Sequence, residues 1–97
     1  MTELLVIAKH TMKKGEEDAV LAVLPRLIEA ARTEPGNLSF VAYRQLDDER
    51  TYVLLERYKS REAFAAHQQT THFKELVLEQ IVPRLDDRVL ELHDVND

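Results

Sequence analysis

Leu38-Ser39-Phe40-Val41-Ala42-Tyr43-Arg44-Gln45, then Leu46-Asp47-Asp48-Glu49, then Arg50-Thr51-Tyr52-Val53-Leu54-Leu55-Glu56-Arg57-Tyr58 is the stretch from which the fold is read. Its outer segments are rich in β-branched and aromatic residues, and the polar segment between them is turn-like, so the stretch predicts a β-hairpin. Alternation puts Tyr52, Leu54, Glu56 and Tyr58 on one face of the second strand, with Val53, Leu55 and Arg57 on the other. Toward the N-terminus, Glu34-Pro35-Gly36-Asn37 is a dense turn signal. From Gly15-Glu16-Glu17-Asp18 to about Thr33, Val20, Leu24, Leu27, Ile28 and Ala31 recur at helical spacing behind an acidic start. Pro25 inside that helix predicts a bend, or a carbonyl near Leu21 left unpaired. Leu4-Leu5-Val6-Ile7-Ala8 predicts a strand running to about His10, apolar enough for burial on both faces.

Toward the C-terminus, Ser60 can cap a helix through Ala63, Phe64 and His67. A second cap-like pair, Thr70-Thr71, precedes Phe73, Leu76, Val77, Leu78 and Ile81, so two helical pieces with a break are expected. Pro83 and Asp86-Asp87 end them. Val89 to His93 is a last strand, and Asp94 to Asp97 a frayed tail. The order is β-α-β-β-α-β, an α+β ferredoxin-like arrangement with an antiparallel sheet. Helices would cover one sheet face. The other would carry Leu5, Ile7, Val41, Val53, Leu55 and Leu90 or Leu92, too much apolar surface to leave wet. A homodimer joined sheet to sheet is the simplest cover.

At 97 residues the chain is one domain, spanning residues 1–97. A net charge of −5 and 13 scattered Lys and Arg argue against nucleic acid or an anionic membrane surface as partner. There are no cysteines, which excludes disulfides, thiolate metal sites and a cysteine nucleophile together. No apolar run approaches a membrane span and Met1-Thr2-Glu3-Leu4-Leu5 has no basic n-region, so a cytoplasmic protein is expected. Gly15 and Gly36 alone cannot build a phosphate-cradling loop.

Glu56 shares a strand face with apolar neighbours, so its carboxylate needs a hydrogen-bond partner or a raised pKa. His67 lies one turn after Phe64 and points broadly the same way. A Glu56–His67 pair would satisfy both groups. Glu56 could orient His67 as a base near neutral pH, or the pair could merely tie the second helical region to the sheet. His72 could line a cavity mouth or stand exposed at a helix start, and His10 could face a pocket or solvent. His93 lies beside the polar tail with no evident role. Four dispersed histidines without H-x-x-x-H or paired-carboxylate spacing make a weak case for a metal, and none is expected. Tyr43, Tyr52 and Tyr58 could offer phenol donors to a ligand or simply pack.

Three segments carry a family resemblance. They are Glu34-Pro35-Gly36-Asn37-Leu38-Ser39-Phe40, Val53-Leu54-Leu55-Glu56-Arg57-Tyr58, and Ala63-Phe64-Ala65-Ala66-His67-Gln68-Gln69-Thr70-Thr71-His72-Phe73. Together the chain resembles the antibiotic biosynthesis monooxygenase domain family. Tyr58 stands where relatives usually carry Trp, and Thr70-Thr71 where they often carry Ser-Pro. The resemblance implies a dimeric α/β barrel with a small cavity between each sheet and its helices. Characterised members include metal- and flavin-free oxygenases of quinols and phenols, sugar-phosphate isomerases and haem-degrading enzymes. The haem branch uses a Trp where this chain has His67 and a proximal His where it has Val77, so haem degradation is disfavoured.

The reading adopted is a cofactor-independent monooxygenase acting on a small aromatic quinol or phenol with molecular oxygen. His67 would be its base and Glu56 its orienter, with Tyr43, Tyr58, His72, Phe73 and His10 around the substrate. Two alternatives share the fold. One is a non-catalytic dimeric module for a small ligand. The other is an isomerase of a phosphorylated sugar-like signal, which would need Arg44, Arg57 and Lys9 to converge.

Overall fold

The computed structural model describes residues 2–96. Strand β1 (Thr2–Met12) leads to helix α1 (Glu17–Ala31), then β2 (Asn37–Arg44) and β3 (Thr51–Tyr58). Helix α2 (Arg61–Gln68), a π-helix (Phe73–Ile81), a short 3-10 turn (Val82–Arg84) and β4 (Leu85–Asn96) complete the described chain. The four strands are antiparallel neighbours in the order β2-β3-β1-β4, the ferredoxin-like topology expected from the element order.

Each element follows from its residues. In α1, Val20, Val23, Leu24, Leu27 and Ala31 form the buried stripe that lies on the sheet. The helix continues through Pro25, which lies on its exposed face, where water can take the carbonyl that proline leaves without a donor. Gly15 turns the chain from β1 into α1 at φ 91°, a conformation that suits glycine. In the β2–β3 loop, Asp48 Oδ2 accepts from Thr51 Oγ1 at 2.7 Å and Asp48 Oδ1 from the Arg50 amide at 3.0 Å. Ser60 caps α2 by accepting from the Ala63 amide at 3.1 Å. The break before the second helical piece falls at Thr70, whose hydroxyl donates to the His67 carbonyl and accepts from the Phe73 amide.

Four readings of the sequence are corrected. Strand β4 begins at Leu85, so Asp86 and Asp87 lie inside it rather than ending a helix. Their side chains are exposed, and β4 is an edge strand where charge is tolerated. The strand continues through Asp94 and Val95, with Asp94 paired to Leu4, so those residues are not a frayed tail; Asp97 lies outside the described residues. The register puts Leu90 opposite Ala8 and Leu92 opposite Val6, both on the helix side. Strand β1 is fully buried on one face only, by Leu4, Val6, Ala8, His10 and Met12, while Leu5 and Ile7 on the other are partly covered.

The outer sheet face therefore carries Leu5, Ile7, Val41, Tyr43, Val53, Leu55, Val89 and Val95. Among the described residues no helix is long and apolar enough to cross a membrane.

Candidate active site

The site lies between the inner sheet face and the helices, and the strand register stacks its polar residues in rows. His10 on β1 is flanked by Tyr52 on β3 and Arg88 on β4. Further along, Glu56 on β3 sits between Val6 and Phe40. Opposite, α2 supplies His67 and the π-helix supplies Phe73 and Val77. These side chains enclose a cavity of about 10 Å³, lined by His10, Glu56, His67, Phe73 and Arg88 among apolar neighbours. That is room for about one water molecule.

His67 is held from outside the cavity. Its Nδ1 lies 2.7 Å from Glu34 Oε2 and 3.0 Å from Oε1. Glu34 stands in the turn after α1, where Gly36 is essential for a packing reason. A Cβ at Gly36 would overlap the Ala63 Cβ of α2, so only glycine lets this turn approach the helix. The Lys59 amide donates to the Gly36 carbonyl at 3.0 Å and fastens the turn to the end of β3. His72 Nε2 also meets Glu34 Oε2, at 2.5 Å. Aromatic rings surround the imidazole: Phe73 edge-on at 5.2 Å between centroids, Tyr58 at 5.3 Å and Phe40 at 5.9 Å. Burial pushes the His67 pKa down, while the hydrogen bond and charge of Glu34 pull it up. A neutral ring that donates from Nδ1 to a carboxylate carries its lone pair on Nε2. That nitrogen points toward Glu56, with Oε1 3.9 Å away.

Glu56 is 5% exposed, and burial raises its pKa to about 7 against the opposing hydrogen bond from Tyr58 and the charge of Arg88. The Tyr58 hydroxyl donates to Glu56 Oε1 at 2.7 Å. Burial and the adjacent Glu56 push the Tyr58 phenol far above its ordinary range, so it remains a donor. At the other end, Arg88 Nε donates to His10 Nε2 at 3.3 Å, and His10 Nδ1 lies 2.7 Å from the Tyr52 hydroxyl. Burial, then the charge of Arg88, lowers the His10 pKa to about 4, so this ring is neutral and donates to Tyr52. No carboxylate of the described residues lies within ion-pair distance of Arg88. Its guanidinium lines the cavity, close enough for its charge to act on Glu56.

The expected constellation is thus rearranged. Glu56 and His67 are neighbours across the cavity but not hydrogen-bonded, and Glu34 takes the orienting position given to Glu56. His10 and Phe73 line the cavity. Tyr43 does not: it stands on the outer sheet face, 55% exposed. Tyr58 lies behind Glu56 with its hydroxyl committed there, and His72 lies on the far side of Glu34. Arg44, Arg57 and Lys9 do not converge on the cavity. Arg57 pairs with Glu3 on the outer face and Arg44 donates to the Glu49 carbonyl. Sequence reasoning missed Glu34 and Arg88. The first sits inside the quoted E-P-G turn, and the second immediately precedes Val89, the expected start of the last strand.

Comparison with known proteins adds an independent line. Residues 4–77 match the family model described as antibiotic biosynthesis monooxygenase. YcnE of Bacillus subtilis (strain 168), which bears a provisional monooxygenase name, is 29% identical over 66 residues, covering 68% of this chain and 70% of that protein. A crystal structure of an antibiotic biosynthesis monooxygenase superposes with TM-score 0.89 at 29% identity, covering 97% of this chain and 99% of the other. The structure of Rv0793 from Mycobacterium tuberculosis does so with TM-score 0.89 at 26% identity, covering 98% and 96%.

Proposed function

The chain belongs to the antibiotic biosynthesis monooxygenase family, and on that premise we propose that it is a cofactor-independent monooxygenase of a small aromatic quinol or phenol. One observation carries this reading: Glu34 clamps Nδ1 of a buried His67 and leaves the Nε2 lone pair facing a small buried cavity beside Glu56.

Triplet oxygen reacts slowly with closed-shell molecules, and a phenol becomes a competent one-electron donor once it is deprotonated. His67 Nε2 takes the phenolic proton, with the resulting imidazolium held by Glu34. Arg88 supplies a positive charge for the phenolate in a water-poor space, where such a charge acts strongly. The phenolate passes one electron to oxygen, the radical pair recombines at a ring carbon bearing hydrogen, and the peroxide loses water to leave a quinone. One oxygen atom enters the ring and the other leaves as water. The substrate's own C–H and O–H bonds supply the electrons and protons, so no external reductant is required. Glu56, which titrates near neutrality, is the second proton carrier.

A one-water cavity does not hold an aromatic ring, so the substrate requires its wall to move. The π-helix that carries Phe73 and Val77 forms one side of that wall, and π-helical turns are rare features found often at functional sites. His67 also lines an outer cleft of about 380 Å³ with Pro35, Gly36 and Ala63, which would serve as the route inward. The apolar outer sheet face supports a homodimer that covers it, with the substrate and oxygen as the other partners.

The closed cavity also favours a second reading, a non-catalytic dimeric binding module. Incubating chelator-treated protein with quinols and phenols under labelled oxygen gas separates the two. An oxygenase places one labelled atom in the quinone and one in water. Peroxide with unlabelled product would indicate oxidation without oxygen insertion, and product no faster than autoxidation would leave the binding module.

A further inference from the structure

We propose that Glu34, His67 and His72 form a binding site for one zinc ion. Three separate elements each deliver one ligand atom: Glu34 Oε2 from the turn after α1, His67 Nδ1 from α2, and His72 Nε2 from just before the π-helix. These atoms all lie within 4.8 Å of one another. Two imidazole nitrogens and a carboxylate oxygen suit a divalent ion of intermediate softness, and three protein ligands leave a position for water.

The geometry is close to what an ion needs. Zinc bonds of about 2.0–2.2 Å in a tetrahedral site hold their ligand atoms roughly 3.3–3.5 Å apart. Here the nitrogen–oxygen separations are 2.7 Å for His67 and 2.5 Å for His72. Insertion therefore spreads each contact by less than about 1 Å. The side chains are already ordered by their mutual hydrogen bonds, so little ordering remains for the ion to impose. Glu34 and His67 are almost fully buried, whereas the His72 side chain is 23% exposed, so the ion has a route from solvent. Ligation at Nδ1 shifts the His67 proton to Nε2, where it faces Glu56 Oε1 across 3.9 Å. That places a carboxylate behind the histidine on the side away from the ion, the usual support for a ligating imidazole. The exposed Glu91–His93 pair, at 3.2 Å, offers one histidine and one carboxylate only.

The consequence for activity rests on the oxygenase reading. An ion at Nδ1 converts the Nε2 lone pair into an N–H, so zinc binding silences the proposed base. Binding itself does not depend on that reading and is measured without turnover. Chelator-treated protein is titrated with zinc chloride by calorimetry. One ion per chain is expected, weakened at least about tenfold in His72→Ala and in Glu34→Gln and unchanged in His93→Ala. His72 is partly exposed, so its alanine variant tests the site even if Glu34→Gln folds poorly. Cobalt substitution gives a second readout, visible ligand-field absorption that His72→Ala loses. Absence of saturable binding to the wild type overturns the proposal, as does wild-type affinity in His72→Ala.

Discussion

Glu34 bonds both His67 and His72, and Glu56 stands across the cavity from it; replacing each carboxylate by its amide separates their roles. A neutral amide at position 34 can still accept a hydrogen bond but no longer holds an imidazolium, so Glu34→Gln should lower kcat about 10- to 100-fold and shift the acid limb of its pH profile downward. Steady-state oxygen consumption across pH checks this, and an unmoved profile would reduce Glu34 to a packing role. Glu56 leaves its mark on stability. Its folded pKa, about 7, exceeds the ordinary 4.5, so between those values the folded chain retains a proton that the unfolded chain has lost. Stability contributed by this group therefore falls as pH rises through that window. Glu56→Gln removes the penalty, and variant should gain on wild type by up to about 3 kcal/mol between pH 4.5 and 8. Urea melts at the two ends test this, and a pH-independent difference would refute it. His10 has the opposite sign: its pKa is lowered from 6.5 to about 4, so its contribution is lost as pH falls through that range.

The turn at Glu34-Pro35-Gly36 positions His67, and its tight packing on α2 can be probed at one atom. Gly36→Ala sets a methyl against Ala63, which has no flexible end to move aside. The change should destabilise the fold by about 1–3 kcal/mol and displace Glu34, lowering activity as well. Gly15→Ala is the control: it meets nothing within 4 Å but strains a residue at φ 91°. It should cost about 1–2 kcal/mol and leave the activity of the folded protein intact. Paired urea melts and rates check both. These elements also mark how far the sequence could be read. Helix α1 and the β2–β3 hairpin were legible because their apolar periods are clean, and Ser60 announced α2. The start of β4 was not, because Asp86 and Asp87 resemble helix-ending residues and their place on an edge strand depends on pairing with distant β1. The π-helix was not legible either, since Phe73, Leu76, Val77 and Ile81 fit an ordinary helical stripe equally well. Glu34 was missed for a related reason. Its partner lies 33 residues away, and a turn motif says nothing about which side chain crosses it.

At the scale of the whole molecule, the sheet separates two jobs: its inner face holds the polar rows of the site, and its outer face is an apolar surface centred on Ile7, Val41 and Leu55. If a second copy covers that surface, Leu55→Asp should convert a dimer into a folded monomer, raising the dissociation constant at least about 100-fold. Sedimentation with circular dichroism tests this, and a monomeric wild type or a dimeric variant would contradict it. The proposed dimer, the proposed movement of the cavity wall and the Glu34–His67 contact all bear on one claim, that His67 activates a phenol for direct reaction with oxygen. The measurement that bears on it most directly is oxygen uptake by chelator-treated protein over a panel of quinols and phenols, wild type beside His67→Ala, with autoxidation subtracted. Uptake above autoxidation is expected in the wild type, and its loss in the variant. Equal uptake by the two proteins would contradict it.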